Sequence, residues 1–141
     1  MIKIEHLVFI NIAKGFLNKP FELTNAWVEY QRARGGKTLF FTDSIDQPQI
    51  LSWAKIKKVM LIGEVLEVHG PIFKENVSIK QLYKFLSGYK NLPYKGVFLN
   101  PSTTYDVSLE VACRKALFKR PIGQTSTSLT IVVNADKLNP D

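Results

Sequence analysis

A single cysteine, Cys113, is the only thiol in this 141-residue chain. No internal disulfide can form, so the fold must be held by its core, and a reducing, cytoplasmic setting is expected. Cys113 lies among apolar positions and reads as a buried structural thiol. The two histidines, His6 and His69, are far apart in sequence and have no partner at metal-ligand spacing, so no metal site is expected. There is no G-x-S-x-G elbow to seat a catalytic serine. The longest apolar run near the start, "LVFINIA", is too short for a membrane span or a signal-peptide core, so no membrane association is expected. Acidic residues are also scarce. Twelve Asp and Glu face nineteen Lys and Arg, a net charge of +7, which favours encounters with phosphates and other anions. One glycine-rich stretch, "RARGGKT", ends like a phosphate-binding P-loop. The first glycine of G-x-x-x-x-G-K-[ST] would fall on Gln31, however, and the helical pattern precedes the glycines instead of following them.

What is present is an ordinary supply of core. Hydrophobic residues make up 45% of the chain, enough for residues 1–141 to fold as a single α/β domain. "HLVFINIA" reads as a strand covered on both faces. In "FELTNAWVEYQRARGG", Leu23, Ala26, Trp27 and Tyr30 form a helical stripe that implies core packing, with Thr24 as N-cap and Gly35 as the left-handed stop. "KTLFFTDS" follows as a second strand. A helix from Pro48 through "QILSWAKIK", a strand over "KVMLIGEVLEV", a helix capped by Ser78 and a strand over "KGVFLNP" come next. "YDVSLEVACRKALFKRP" carries both alternating and helical spacing; Asp106 as cap and Pro121 as stop favour a helix. "TSLTIVV" reads as a fifth strand. The alternation predicts a three-layer Rossmann- or flavodoxin-like domain of about five mostly parallel strands, with ligands beyond the strands' carboxyl ends. A different arrangement follows if 105–113 is a strand: a small barrel resembling PUA-like RNA-binding domains.

At the fourth of those carboxyl ends stands "GVFLNPSTTYDVSLEVACRKALFKRPIG", a strand, a polar loop and a helix with Glu110 in its first turn. Together with "INIAKGF" and "RGGKTLFFTD", it resembles the nucleoside 2-deoxyribosyltransferase-like superfamily. The match is partial: Asp106 precedes Glu110 by four residues, Ala112 stands where the family prefers glycine, and Lys14 precedes Gly15. The resemblance implies an N-ribosyl hydrolase or transferase acting on a nucleoside or nucleotide. Glu110 would attack the anomeric carbon and Asp106 would orient the sugar or supply a proton. Gly15, Phe16, Asp43, Asp46, Ser102, Tyr105 and Ser108 would contact the substrate, with Phe16 and Tyr105 stacking on the base. No cofactor is required. Without the resemblance, Glu110 is a first-turn carboxylate complementing the helix dipole and Asp106 is its cap.

The basic residues carry the alternative. Lys55, Lys57 and Lys58 stand together, as do Arg114, Lys115, Lys119 and Arg120, with no acid among either group. Such runs are either a solvated surface or a patch facing nucleic acid or a nucleotide, which makes a non-catalytic binding module the competing expectation. Pairing through helices into a homodimer is expected of a small domain of this class.

Overall fold

The computed structural model describes residues 1–17, 19–101 and 106–119. Five strands, β1 (Ile2–Ile4), β2 (Thr38–Thr42), β3 (Ile50–Val59), β4 (Gly63–Phe73) and β5 (Val97–Asn100), form one sheet in sequential order. Helices α1 (His6–Ala13), α2 (Asn25–Ala33), α3 (Ile79–Tyr89) and α4 (Val107–Lys115) flank it. β1 through β4 pair antiparallel, and β5 alone joins in parallel, on the far side of β4. The mostly parallel, Rossmann-like expectation is therefore overturned: this is a mixed sheet with one crossover, β4–α3–β5. Nor is it a PUA-like barrel, since 107–115 is helix. No helix among the described residues is long and apolar enough to cross a membrane.

Two misread segments account for the difference. "HLVFINIA" is a helix, α1, preceded by the short β1. It is apolar nearly all round, but only Phe9 and Ala13, one turn apart, are buried, while Leu7 points to solvent. A short continuous apolar run has no period with which to separate strand from helix. The stretch after Pro48 is β3, not a helix, and what reads as one strand over "KVMLIGEVLEV" is the end of β3, a three-residue turn and β4. Both strands are covered on two faces along their inner halves, which hides the alternation.

That alternation builds two cores. Ile50, Ala54, Leu66 and Val68 face α3 and α4 together with Leu82, Phe85, Leu86, Leu109 and Ala112. Leu51, Trp53, Phe40 and Ile72 face the other way, toward Phe9, Phe16, Leu23 and Val28. Between Leu51 and Trp53 the register slips: Leu51 pairs with Ile72 and Trp53 with His69, so Gly70 and Pro71 bulge opposite Ser52. Gly70 sits at φ 103°, and a side chain there would press on the Leu51 carbonyl and the Ile72 amide, each 3.2 Å away. The bulge lets Val65, Glu67, His69 and Ile72 share one face although odd and even positions change over.

Helix boundaries follow the expected chemistry. Thr24 accepts the Trp27 amide, Gly35 takes φ 83°, Ser78 and Gln81 form a reciprocal capping box, and the Asp106 carboxylate accepts the Leu109 amide. The α2 stripe differs from expectation. Val28 is its buried residue, whereas Tyr30 is exposed and stacks on Trp27 at the surface, with ring centroids 5.2 Å apart. The anticipated fifth strand, "TSLTIVV", lies outside the described residues.

At the centre of the α3 core the hydroxyls of Tyr89 and Ser52 share a hydrogen bond, and the Tyr89 ring meets Phe41 and Phe85 edge-on at 5.6 and 5.7 Å. Burial pushes the phenol above its usual range, so it stays neutral. Tyr89→Phe strands the Ser52 hydroxyl and is expected to lower stability by about 1–3 kcal/mol. Adding Ser52→Ala should recover part of that loss. Urea unfolding of the two single variants and the double variant checks the pair.

Candidate functional site

The sheet has two unlike ends. At the carboxyl ends of β2, β4 and β5, the loops and the α4 entry (residues 42–49, 73–78 and 106–110) carry Asp43, Asp46, Glu75, Asp106 and Glu110 with Lys74, and Lys80 in the first turn of α3 and Lys14 and Lys19 around Phe16 lie at the same end. At the opposite end, β3 and β4 run past their neighbours. The β2 pairing ends at Lys55 and the β5 pairing at Leu66. Lys57, Lys58 and Val59 pair only with Val65, Glu64 and Gly63, so a two-stranded ribbon about 10 Å long projects there.

Most sequence-predicted site residues belong to the first end, but they do not converge. Asp43 is a structural clip: one carboxylate oxygen accepts the Gln49 and Ile50 amides, both at 2.9 Å, and closes the β2–β3 loop. Asp46 is exposed in that loop, and Gly15 is exposed just past α1. Phe16 is buried under α1, with the Lys74 ammonium 5.4 Å from its ring centre. On the other side of the sheet, Asp106 caps α4 and Ser108 lies in the first turn. Glu110 is engaged by Arg114 at 2.9 Å. Ser102 and Tyr105 fall outside the described residues. β2 and β5 are three strand spacings apart, about 14 Å across the sheet. The loops that a parallel, doubly wound order would bring together at a switch point are held apart by β3 and β4.

The basic end gathers what sequence reasoning left dispersed. Arg34 and Lys37 lie where α2 leads into β2, and Lys37 is tied to β3 by its carbonyl, which accepts the Ile56 amide at 3.0 Å. Lys55, Lys57 and Lys58 lie on β3. Lys90 caps α3, and Lys95 donates its backbone amide to the Glu64 carbonyl at 2.9 Å. Residues 34–38, 55–67 and 90–97 thus hold seven Lys and Arg, with Glu64 and Glu67 as their only carboxylates. The α4 exit adds to the same end, since Phe118 lies under the Lys90 ammonium, 5.4 Å from its ring centre.

On the face of the sheet opposite α3, this end carries a polar cluster. Lys57 pairs with the buried Glu67 carboxylate, and His69 Nε2 lies 3.6 Å from its other oxygen. The His69 ring stacks on Trp53 at 4.3 Å and 12°, while the Trp53 indole donates to the Glu22 carbonyl at 2.7 Å. Phe98, the register partner of Glu67 on β5, presents a 56% exposed ring beside the cluster. Burial holds the His69 imidazole below its ordinary value of 6.5, with Lys57 and Lys55 adding to the effect and Glu67 and Glu22 opposing it. His69 is accordingly a neutral stacking group at neutral pH, and Glu67 orients the Lys57 ammonium. His6 is engaged elsewhere, bridging α1 to Arg32 and Glu29 of α2. Among the described residues no three His, Cys, Asp or Glu side chains are grouped to hold a metal ion. Burial also raises the Cys113 thiol to about 12.

The signal for this cluster was in the sequence. Lys55 and Lys57 alternate with Ala54 and Ile56, the period of a strand leaving its cover. Gly63 after Met-Leu-Ile marks the turn that makes the two strands a hairpin. No protein-family model matches the chain, and no curated protein or solved structure is significantly similar to it.

Because the folded state resists protonating His69, the unfolded chain binds that proton more readily. Stability is expected to be level above about pH 6.5 and to fall as pH drops below it, toward the lower folded value. His69→Asn should flatten the decline between pH 7.5 and pH 5 in urea midpoints. An imidazole resonance of His69 that titrates at or above 6.5 would contradict this.

Proposed function

We propose that this chain is a nucleic-acid-binding module that meets the phosphate backbone with the hairpin end of its sheet. The observation carrying the reading is the concentration of cations: seven Lys and Arg around the ribbon against two carboxylates, Glu64 and Glu67. Glu67 pairs with one lysine, Lys57, and Lys55 donates to the neutral Gln31 side chain at 3.1 Å, which leaves its charge in place. A surface of this sign and extent attracts a polyanion from a distance and gains affinity by releasing its condensed counterions. Phe98 supplies an exposed aromatic face beside the lysines, which any base can stack on.

An N-ribosyl hydrolase or transferase has less behind it. It needs Glu110 as a nucleophile, and here that carboxylate is engaged by Arg114 at 2.9 Å, while the Asp43 carboxylate is spent on the Gln49 and Ile50 amides.

The salt dependence of binding tests the proposal. The logarithm of the association constant for a fluorescent duplex should fall linearly with the logarithm of salt concentration, with a slope of about −4 or steeper. Lys58→Gln should weaken binding and flatten the slope by about 0.9, the share of one phosphate contact. Lys74→Gln, at the opposite end of the sheet, should change neither. A slope near zero, or equal effects of the two substitutions, would contradict the assignment.

A further inference from the structure

The free ribbon ends in Met60, Leu61 and Ile62, a three-residue loop between the paired Val59 and Gly63, closed by the Ile62 amide on the Val59 carbonyl at 3.1 Å. These three side chains are 87%, 100% and 55% exposed. Leu61 also sits at φ 69°, in the left-handed region where glycine or asparagine is at ease and leucine costs roughly 1–2 kcal/mol. A fully exposed leucine gains nothing from the core, and its backbone is strained, so both terms act against the stability of the isolated chain. A residue unfavourable on both counts points to a compensating contact outside the chain.

We propose that the β3–β4 hairpin is an apolar wedge: the lysines of its stem hold the phosphates of a nucleic-acid duplex while Met60, Leu61 and Ile62 press against a base step and part the stacked bases. The inference rests on the nucleic-acid reading above and specifies what its tip does. Three features select this partner. The cations do not ring the tip alone: Lys57 and Lys58 stand on the two faces of the stem, and Lys37 beside β3 and Lys95 beside β4 flank its two edges, so the stem carries positive charge on every side behind the tip. Phe98 offers an exposed stacking face on the side of the sheet that carries Glu67 and Lys57. The tip lacks the Trp and Tyr that anchor segments at a lipid–water boundary, whereas Met, Leu and Ile are among the side chains that wedge between bases. A wedge of this kind favours duplexes whose unstacking is cheap, such as those with a mismatch or a bulge.

The test uses the full chain, a perfect duplex, and the same duplex with one mismatch beside 2-aminopurine. The wild type should bind the mismatched duplex about tenfold more tightly and raise the 2-aminopurine fluorescence. Leu61→Gly and the triple variant Met60→Ser/Leu61→Gly/Ile62→Ser should bind both duplexes alike, with no fluorescence rise and an unchanged salt slope. Thermal unfolding of Leu61→Gly should be unaltered or shifted upward. Retained mismatch preference in the triple variant, or a marked fall in the melting temperature of Leu61→Gly, would overturn the wedge while leaving the nucleic-acid reading standing. If the wild type binds neither duplex at low salt, that reading falls and the wedge with it. Binding to phosphatidylserine vesicles that Leu61→Gly abolishes, without duplex binding, would assign the tip to a membrane surface instead.

Discussion

The antiparallel pairing of β3 with β4 is the constraint on which both the core and the candidate interface depend. Their inner halves lie in the middle of the sheet and are buried on two faces, so every position there is apolar or, like Ser52, satisfied internally. The same two strands continue beyond the β2 and β5 ladders, flanked only by the Lys37 and Lys95 segments, and there lysine and glutamate appear among the side chains. Packing and charge are thus consecutive stretches of one hairpin. The bulge at Gly70 keeps the faces in phase, so that Glu67 and His69 stay on the side where Trp53 and Lys57 wait for them.

Part of the charge segregation has a local cause. α2 and α3 both end at the ribbon end of the sheet, and Arg34 and Lys90 sit where the helix dipole favours cations. Asp106 and Glu110 occupy the start of α4, where it favours acids. The lysines of β3 and the loop residues Lys37 and Lys95 are at no helix end. Their clustering gains nothing from the dipole and raises mutual repulsion, which is what turns attention from folding to a partner of opposite sign. The exposed, strained Leu61 is a second and independent sign at the same place.

Much of the fold was legible locally and little of it globally. Caps at Thr24, Ser78 and Asp106, and the glycine stop at Gly35, are short-range chemistry, and the structure places each where the residues imply. Topology is hidden at two points that show no readable period: β3, which is buried on both faces along its inner half, and α1, which is apolar nearly all round although one side faces solvent. Once β3 is a helix on paper, the turn at Met60–Ile62 disappears, and alternating strands and helices imply a parallel sheet. The site expectation inherited that error. Gly15, Phe16, Asp43, Asp46, Asp106, Ser108 and Glu110 are what the family resemblance implies on a parallel sheet; in the mixed sheet Phe16 belongs to the core on one face and α4 packs on the other. The lysines of β3 were conspicuous from the start, but only the hairpin shows that Lys37, Lys90 and Lys95 join them.

The most direct test of the one-ended interface is a residue-by-residue map of backbone amide shifts during titration with a short duplex at low salt. The account predicts that perturbations concentrate on Arg34–Thr38, Lys55–Glu67 and Lys90–Phe98, and leave Asp43–Gln49 and Asp106–Glu110 unmoved. Perturbations centred on the loops around Asp43 and Glu110, with the hairpin silent, would contradict it.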